Sequence, residues 1–437
     1  DGFTMFVPYS LPGEVIEAKV TAVKKNYGRG QVLSLIEPAQ ERRAVSCQCH
    51  DQCGGCQLLH LDYEEQLIWK KRLVTETLAR IGGIEADVLP VLGMKNPASY
   101  RNKVQLHGQA SAGKDQETKA KINKAVSNLG YFAARSRKLV SVKACALWPS
   151  SFKPVVEKLE QLFVKYQLVE KIKHLVLREG KKGQLMVVAV TGDSNDTSKL
   201  QQVAQELLTN SAKAEATYCL NVTSFYHNIN PIEGSLILGR EFIHLGGTKQ
   251  LSITIGQLEF LISPAAFFQV NTAQTEVLYN KTAEYAALTG AEVVLDAYCG
   301  TGTIGLYLAD KAKEVVGIEV VAEAINDARQ NAIHNQISNA QFKVGKVEGL
   351  LPQMVQQGFY AEVVILDPPR AGCDPQVLAA ISQMEPNRIV YVSCDPATLA
   401  RDLKIMVEEG YEVKEVQPVD MFPQTSHVEC VVLIEKK

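Results

Sequence analysis

The residues best suited to chemistry lie near the end of the chain. In IVYVSCDPATLARD, Cys394 stands where an apolar burst stops and a turn into a helix begins, a position expected to lower a thiol pKa from about 8.5. Further on, MFPQTSHVECVVLIE carries Glu429 at the start of a last apolar run, with His427 beside it. A pyrimidine ring is too unreactive at C5 to accept a methyl group directly. Addition of a thiolate at C6 makes an enolate whose C5 carbon is nucleophilic. A base must then remove the C5 proton so that the thiolate can leave. Cys394 suits the first task and Glu429 the second. A buried structural cysteine is the ordinary alternative for Cys394.

A cofactor end can be read just upstream. VVLDAYCGTGTIG is a buried strand running into a Gly-rich turn and then a helix, and Gly300, Gly302 and Gly305 let backbone approach a ligand closely. The pattern is not GxGxxG in the dinucleotide register. The next apolar burst, VVGIEV, ends near Glu319, where a carboxylate can accept two ribose hydroxyls. S-adenosylmethionine and a dinucleotide both suit this arrangement. Asp296 would support the turn and Tyr298 would pack on the cofactor. Asp367 ends VVILDPPR and opens a rigid Pro-Pro turn at another strand terminus. Amine methylases share such a turn, yet they need no cysteine nucleophile.

Four more cysteines crowd CQCHDQCGGC: Cys47, Cys49, Cys53 and Cys56. Ten cysteines in 437 residues are too dilute for a disulfide-stapled scaffold, so this density points to metal or cluster binding by soft thiolates. Zinc would take all four. An iron-sulfur cluster would instead take Cys47, Cys53 and Cys56 with a distant thiolate, for which Cys145 in VKACALWP is the candidate. Spacing alone does not choose between the metals.

The net charge of −2 gives at first no reason to expect a polyanionic partner. Its distribution does. Between Lys95 and Lys143 eleven basic residues face two acidic ones, so this stretch is +9 and the remainder −11. Tyr100, His107, Tyr131 and Phe132 lie among these charges, a combination that can hold phosphates and stack on unpaired bases. YRNKVQLHG and GYFAARSRKLVSV alternate like paired strands, whereas the lysine-rich 114–124 stretch reads as an insertion.

These residues need elements to hold them. The length implies two to four domains. Residues 1–46 read as short strands of a small OB-type β-barrel, and the abrupt opening at Asp1 suggests that a first strand is missing. LDYEEQLIWKKRLVTETLARIG repeats at helical spacing and stops at Gly82-Gly83. Mixed α and β patterns follow to about Leu261. Beyond them, EVVLDAYCG, KEVVGIEV, AEVVILDPP and NRIVYVSCD alternate with helical stretches, as in a doubly wound parallel sheet whose ligands bind at the strands' carboxyl ends. No apolar run reaches the 18–20 residues or so of a membrane span, and no signal peptide is apparent, so a cytoplasmic protein is expected.

The motifs YRNKVQLH, SPAAFFQVN, LDAYCGTGTIGL, LDPPRAG, YVSCDPATLARD and DMFPQTSHVE, with the Cys cluster, closely resemble the RumA-type RNA uracil-C5 methyltransferases over nearly the whole chain. The resemblance implies a Rossmann-like S-adenosylmethionine-dependent α/β domain, an N-terminal OB-type TRAM barrel and a central α+β iron-sulfur domain. It divides the chain into 1–46 (TRAM), 47–60 with 86–262 (central) and 61–85 with 263–437 (methyltransferase). It implies a 4Fe-4S cluster on Cys47, Cys53, Cys56 and Cys145, with Cys49 unassigned. Cofactor positions fall on Gln269, Tyr298, Glu319 and Asp367, the nucleophile on Cys394 and the proton acceptor on Glu429. The SCNP and PHTGH of some relatives read SCDP and PQTSH here, so Asp395 and Gln424 are expected to tune target choice.

The expectation is therefore a monomeric enzyme that methylates uridine C5 in a 23S ribosomal RNA loop, with the target base turned out of its stack. Three rivals remain. The same chemistry on transfer RNA is disfavoured by the intact Cys set. An iron-sulfur RNA-binding protein with a dead methylase domain is opposed by Cys394, Glu429 and Gln269. A nicotinamide oxidoreductase leaves the RNA-like features unexplained.

Overall fold

In the computed structural model, residues 3–108, 110, 128–212 and 220–437 are described; the lysine-rich 114–124 stretch lies outside them. β1 (Thr4–Phe6), β2 (Val15–Val23) and β3 (Tyr27–Glu37) form a three-stranded sheet in the order β1-β3-β2. Three strands are too few to close the expected barrel, since an OB-type barrel takes five. Val20, Val23, Leu33 and Ile36 accordingly stay exposed. Arg42 donates from Nε and Nη2 to the buried Glu14 carboxylate, joining this sheet to the segment after it.

The helix Tyr63–Thr77 starts at Asp62, whose side chain accepts from the Glu64 backbone N–H. It runs through a widened turn, Leu78–Gly82, to Gly83, which ends it with φ +64°. Gly82 is required by close approach, because a Cβ there would lie 2.9 Å from the Ala400 carbonyl oxygen. Val74 and Leu78 are buried in one core with Leu295, Val364, Tyr391 and Leu403, so this early helix packs on a sheet formed much later in the chain.

A central sheet combines β4 (Lys103–His107), β5 (Gly130–Phe132), β6 (Leu139–Ser141), β7 (His174–Glu179), β8 (Leu185–Thr191), β9 (Val222–Ile229) and β10 (Glu241–Gly247) in the order β10-β9-β8-β7-β4-β5-β6. Its pairs are antiparallel except β8–β9, which the helix Thr197–Ala212 separates in sequence. Leu175, Leu177, Val187 and Ala189 face one core and Val176, Met186, Val188 and Val190 another. Burial on both faces explains why β7 and β8 read as unbroken apolar runs.

After the hairpin β11 (Leu251–Ile255) and β12 (Leu258–Ile262) comes the second large sheet: β13 (Val293–Ala297), β14 (Glu314–Glu319), β15 (Ala340–Val344), β16 (Val363–Leu366), β17 (Arg388–Ser393), β18 (Tyr411–Val419) and β19 (Glu429–Lys436). Its order is β15-β14-β13-β16-β17-β19-β18; the first five strands are parallel, and β19 runs antiparallel between β17 and β18. The order reverses at β13, which pairs with β14 on one side and β16 on the other. Ligands bind outside the carboxyl ends at such a switch point.

Candidate active site

At the carboxyl end of β13 the chain turns sharply, with Tyr298, Gly300 and Gly302 at φ +65°, +54° and +75°. Asp296 braces the turn from below, one carboxylate oxygen accepting from the Gly305 N–H at 2.8 Å. Its other oxygen is buried without a hydrogen-bond partner, and burial pushes the carboxyl up to about 7. Glu319, at the end of β14, accepts from Gly300 N–H at 3.2 Å and Val321 N–H at 2.8 Å. A Cβ on Gly300 would have no atom within 4 Å, so open space lies directly over the turn. The half-buried carboxyl of Asp367 follows β16, and burial raises it to about 7. An orphaned carboxylate oxygen, a second acid on the turn and unfilled space above it suit a polar, cationic cofactor. Tyr298 packs on the sheet core beside Cys373.

The reactive pair is placed by strand register. β17 and β19 pair antiparallel with Ser393 opposite Cys430, so the next step outward sets Cys394 across from Glu429 at the rim of the sheet. Cys394 is half-buried and Glu429 only 3% exposed. Burial pushes the Glu429 carboxyl up to about 8, with Asp367 adding to the rise and Arg370 opposing it. The Cys394 thiol rises to about 11, through burial first and then the Glu429 and Asp367 charges. The lowered thiol expected at a helix start is thus reversed. Asp395 occupies the N-cap of the helix Pro396–Glu408, accepting from Ala397 and Thr398 N–H, while burial first and then the Glu429 and Asp367 charges act against the Cys394 thiolate.

Lys70, Gln66 and Asp420, which carry no signal in the sequence, and several residues singled out above support the reactive pair. Arg370, inside LDPPRAG, is a cation whose charge acts on both reactive groups, and its Nη2 lies 3.5 Å from Nδ1 of the exposed His427. Lys70 and Asp420 form a fully buried ion pair at 2.6 Å, and Tyr63 donates to the same carboxylate at 2.9 Å. Gln66 and Gln424 exchange hydrogen bonds, so Gln424 joins the early helix to the loop before Glu429. Asn102 donates to the Gln269 carbonyl and the Thr272 hydroxyl, while Tyr100 donates to the Pro423 carbonyl. The Asn102 bonds dock YRNK on the loop that carries the buried Gln269, and the Tyr100 bond ties it to the loop before Glu429.

The cysteine loop lies beside the central sheet, where Cys53 bridges to Ala133. Burial and the neighbouring thiols raise Cys56 to about 12 and Cys145 to about 11; Cys47 and Cys53 contribute to both. Cys49 is raised by burial and then by Cys47, and itself acts on Cys53, while its sulfur lies 3.6 Å from the Ser141 carbonyl oxygen. Thiols from two chain segments therefore lie within electrostatic reach of one another. Among the described residues, no group of three or more His, Cys, Asp or Glu side chains stands in metal-ligand geometry. Nor, among them, is any helix long and apolar enough to cross a membrane.

Comparison with known proteins adds a separate line. A family model described as tRNA (Uracil-5-)-methyltransferase matches residues 233–437, and one described as TRAM domain matches residues 1–33. An uncharacterized RNA methyltransferase of Clostridium tetani is 42% identical over 443 residues, covering 99% of this chain and 92% of that protein. One from Halalkalibacterium halodurans is 42% identical over 448 residues, covering 100% and 93%. The Pyrococcus abyssi tRNA (uracil-54, C5)-methyltransferase, solved with S-adenosyl-L-homocysteine, superposes with a TM-score of 0.73 at 28% identity, covering 98% of this chain and 94% of that one.

Proposed function

Since the chain belongs to the RNA uracil-C5 methyltransferase family, with a TRAM domain and a methyltransferase fold, we propose that it methylates C5 of uridine in 23S ribosomal RNA through a covalent Cys394 adduct. The observation that carries this reading is the opposition of Cys394 and Glu429 across β17 and β19, beside Asp367 and Arg370. Gln269, Tyr298, Glu319 and Asp367 would hold S-adenosylmethionine, which supplies an electrophilic methyl group.

The chain's own residues do the rest. The Cys394 sulfur bonds to C6, and the ring's electron pair moves to the C4 oxygen and makes C5 nucleophilic. Once C5 carries the methyl group, Glu429 accepts the C5 proton, the C5–C6 double bond re-forms and the sulfur leaves with its electron pair. A carboxyl near pKa 8 is well matched to that proton transfer at neutral pH. Attack requires the thiolate, so the thiol first gives its proton to solvent; Arg370, which already opposes the rise to about 11, is the guanidinium that favours the anion. The uridine must leave its stack to meet Cys394, since side chains cannot reach C5 and C6 between stacked bases.

We further assign a 4Fe-4S cluster to Cys47, Cys53, Cys56 and Cys145 within a central domain of residues 47–60 and 86–262. The gathering of those thiols supports it. It would serve as a structural or redox-responsive group away from the methyl transfer. The 1–46 and 61–85 with 263–437 divisions, a monomeric enzyme and a cytoplasmic location belong to the same reading. The Pyrococcus tRNA enzyme favours a second reading, the same chemistry on transfer RNA. Tritium transfer from labelled S-adenosylmethionine to 23S RNA and to tRNA, each from a strain lacking this gene, decides between them. Label is expected in 23S uridine with wild type and in neither RNA with Cys394→Ala; label in tRNA alone selects the second reading, and activity in Cys394→Ala overturns the mechanism.

A further inference from the structure

A cavity of about 640 Å³ opens where the turn between β5 and β6 folds against the cysteine loop. Neither Cys394, Glu429 nor any proposed cofactor residue lines it. Its walls carry His107 and Phe132, whose rings stack at 3.9 Å with an angle of 11° between planes. The His107 ring is held by His174, Nδ1 to Nδ1 at 3.0 Å, and burial pushes its pKa down, which favours the neutral ring. On the opposite wall Gly54 abuts the turn so closely that a Cβ would lie 3.1 Å from Ala134 Cα. Arg135 and Arg137 line the opening and are exposed, and among the described residues neither forms an ion pair.

An aromatic platform in a cavity whose opening carries two exposed guanidiniums matches the two things an unpaired nucleotide offers, a π-face and a phosphate. The volume lies in the range of pockets that hold small organic ligands. We propose that this cavity is a second nucleotide site, which takes one unpaired base of the substrate RNA on the His107–Phe132 stack and its phosphates on Arg135 and Arg137. The inference rests on the RNA reading above. It gives the enzyme a way to recognise a base other than the one it methylates, from a wall shared with the cysteine loop. A peptide would have no use for two arginines beside a ring stack unless it were acidic, which makes a protein partner the alternative outcome.

The full-length protein with a short fluorescein-labelled single-stranded RNA of mixed sequence provides the test. Replacing both arginines by alanine should reduce the slope of log Kd against log salt by about 1.4, at about 0.7 per lost phosphate contact. Phe132→Leu should weaken binding about tenfold with the slope retained, and Phe132→Tyr should bind as wild type does. In tritium transfer to RNA, the arginine variant should raise KM and leave kcat unchanged. Wild-type affinity and salt slope in both the arginine and Phe132→Leu variants would overturn the proposal, as would an acidic peptide that displaces no RNA yet binds only with the arginines present. If wild type binds RNA in this variant-sensitive way but labels no uridine, the cavity stands and the methyltransferase reading falls. If labelling is undiminished and the variants bind RNA like wild type, the cavity falls and the methyltransferase reading stands.

Discussion

Replacing Glu429 by glutamine should stabilise the protein, and by an amount that depends on pH in a defined direction. In the folded chain this carboxyl is raised by burial from its ordinary 4.5 to about 8. Below pH 4.5 it is protonated in both folded and unfolded states, and its full contribution to stability is present. Between 4.5 and 8 the unfolded state releases the proton while the folded state keeps it, so stability falls as pH rises and levels off above 8. Each pH unit in that window is worth at most about 1.4 kcal/mol, which gives a loss of up to ~3 kcal/mol by pH 7. Glutamine keeps the shape and does not titrate. Glu429→Gln and wild type should therefore unfold together near pH 4, and the gap in favour of the variant should widen to pH 8. Urea unfolding at a series of pH values measures it, and thermal midpoints should separate by about 2–4 °C for each kcal/mol in a domain of this size. A gap that stays constant from pH 5 to pH 8 would show that Glu429 ionises like an exposed carboxylate, and the assignment of a base near pH 8 would fail with it.

Two further outcomes concern other parts of the molecule. Lys70→Met strips the fully buried Asp420 of its cation and should cost about 3–5 kcal/mol, read from the urea midpoint, with activity falling because the loop from Asp420 leads into Glu429; a loss under about 1 kcal/mol would show that the pair is not dry. Iron reconstitution under anaerobic conditions should give a brown protein with broad visible absorption, and Cys145→Ala should lose that iron while Cys49→Ala keeps it; equal retention in both would remove Cys145 from the ligand set.

The parts of this fold that show in the sequence are those whose cause is local. EVVLDAYCG, KEVVGIEV, AEVVILDPP and NRIVYVSCD mark parallel strands because burial on both faces makes each an unbroken apolar run, and the polar residue ending each run marks the rim. Gly83 marks the end of the early helix for an equally local reason, its left-handed φ of +64°. What depends on distant pairing does not show. Nothing in SHVECVVLIE reveals that β19 inserts antiparallel beside β17, the event that brings Glu429 opposite Cys394. Lys70 reads as one more charge on an amphipathic helix until Asp420 is folded against it. Asp395 and Gln424, expected to tune the target, are engaged in a helix cap and a helix-to-loop hydrogen bond. The direction of the Cys394 shift is hidden for the same reason, because position in a strand-turn-helix unit says nothing of carboxylates arriving from two other strands.

The proposed mechanism has Cys394 bonding to the uridine ring before Glu429 takes the C5 proton. Glu429→Gln, incubated with S-adenosylmethionine and RNA from a strain lacking the gene, separates the two steps, with denaturing electrophoresis and mass spectrometry of the digested complex as the readout. The expected product is a denaturant-resistant adduct in which the Cys394 peptide carries a nucleotide already methylated at C5. Methylated RNA released at the wild-type rate, with no nucleotide on Cys394, would overturn the mechanism.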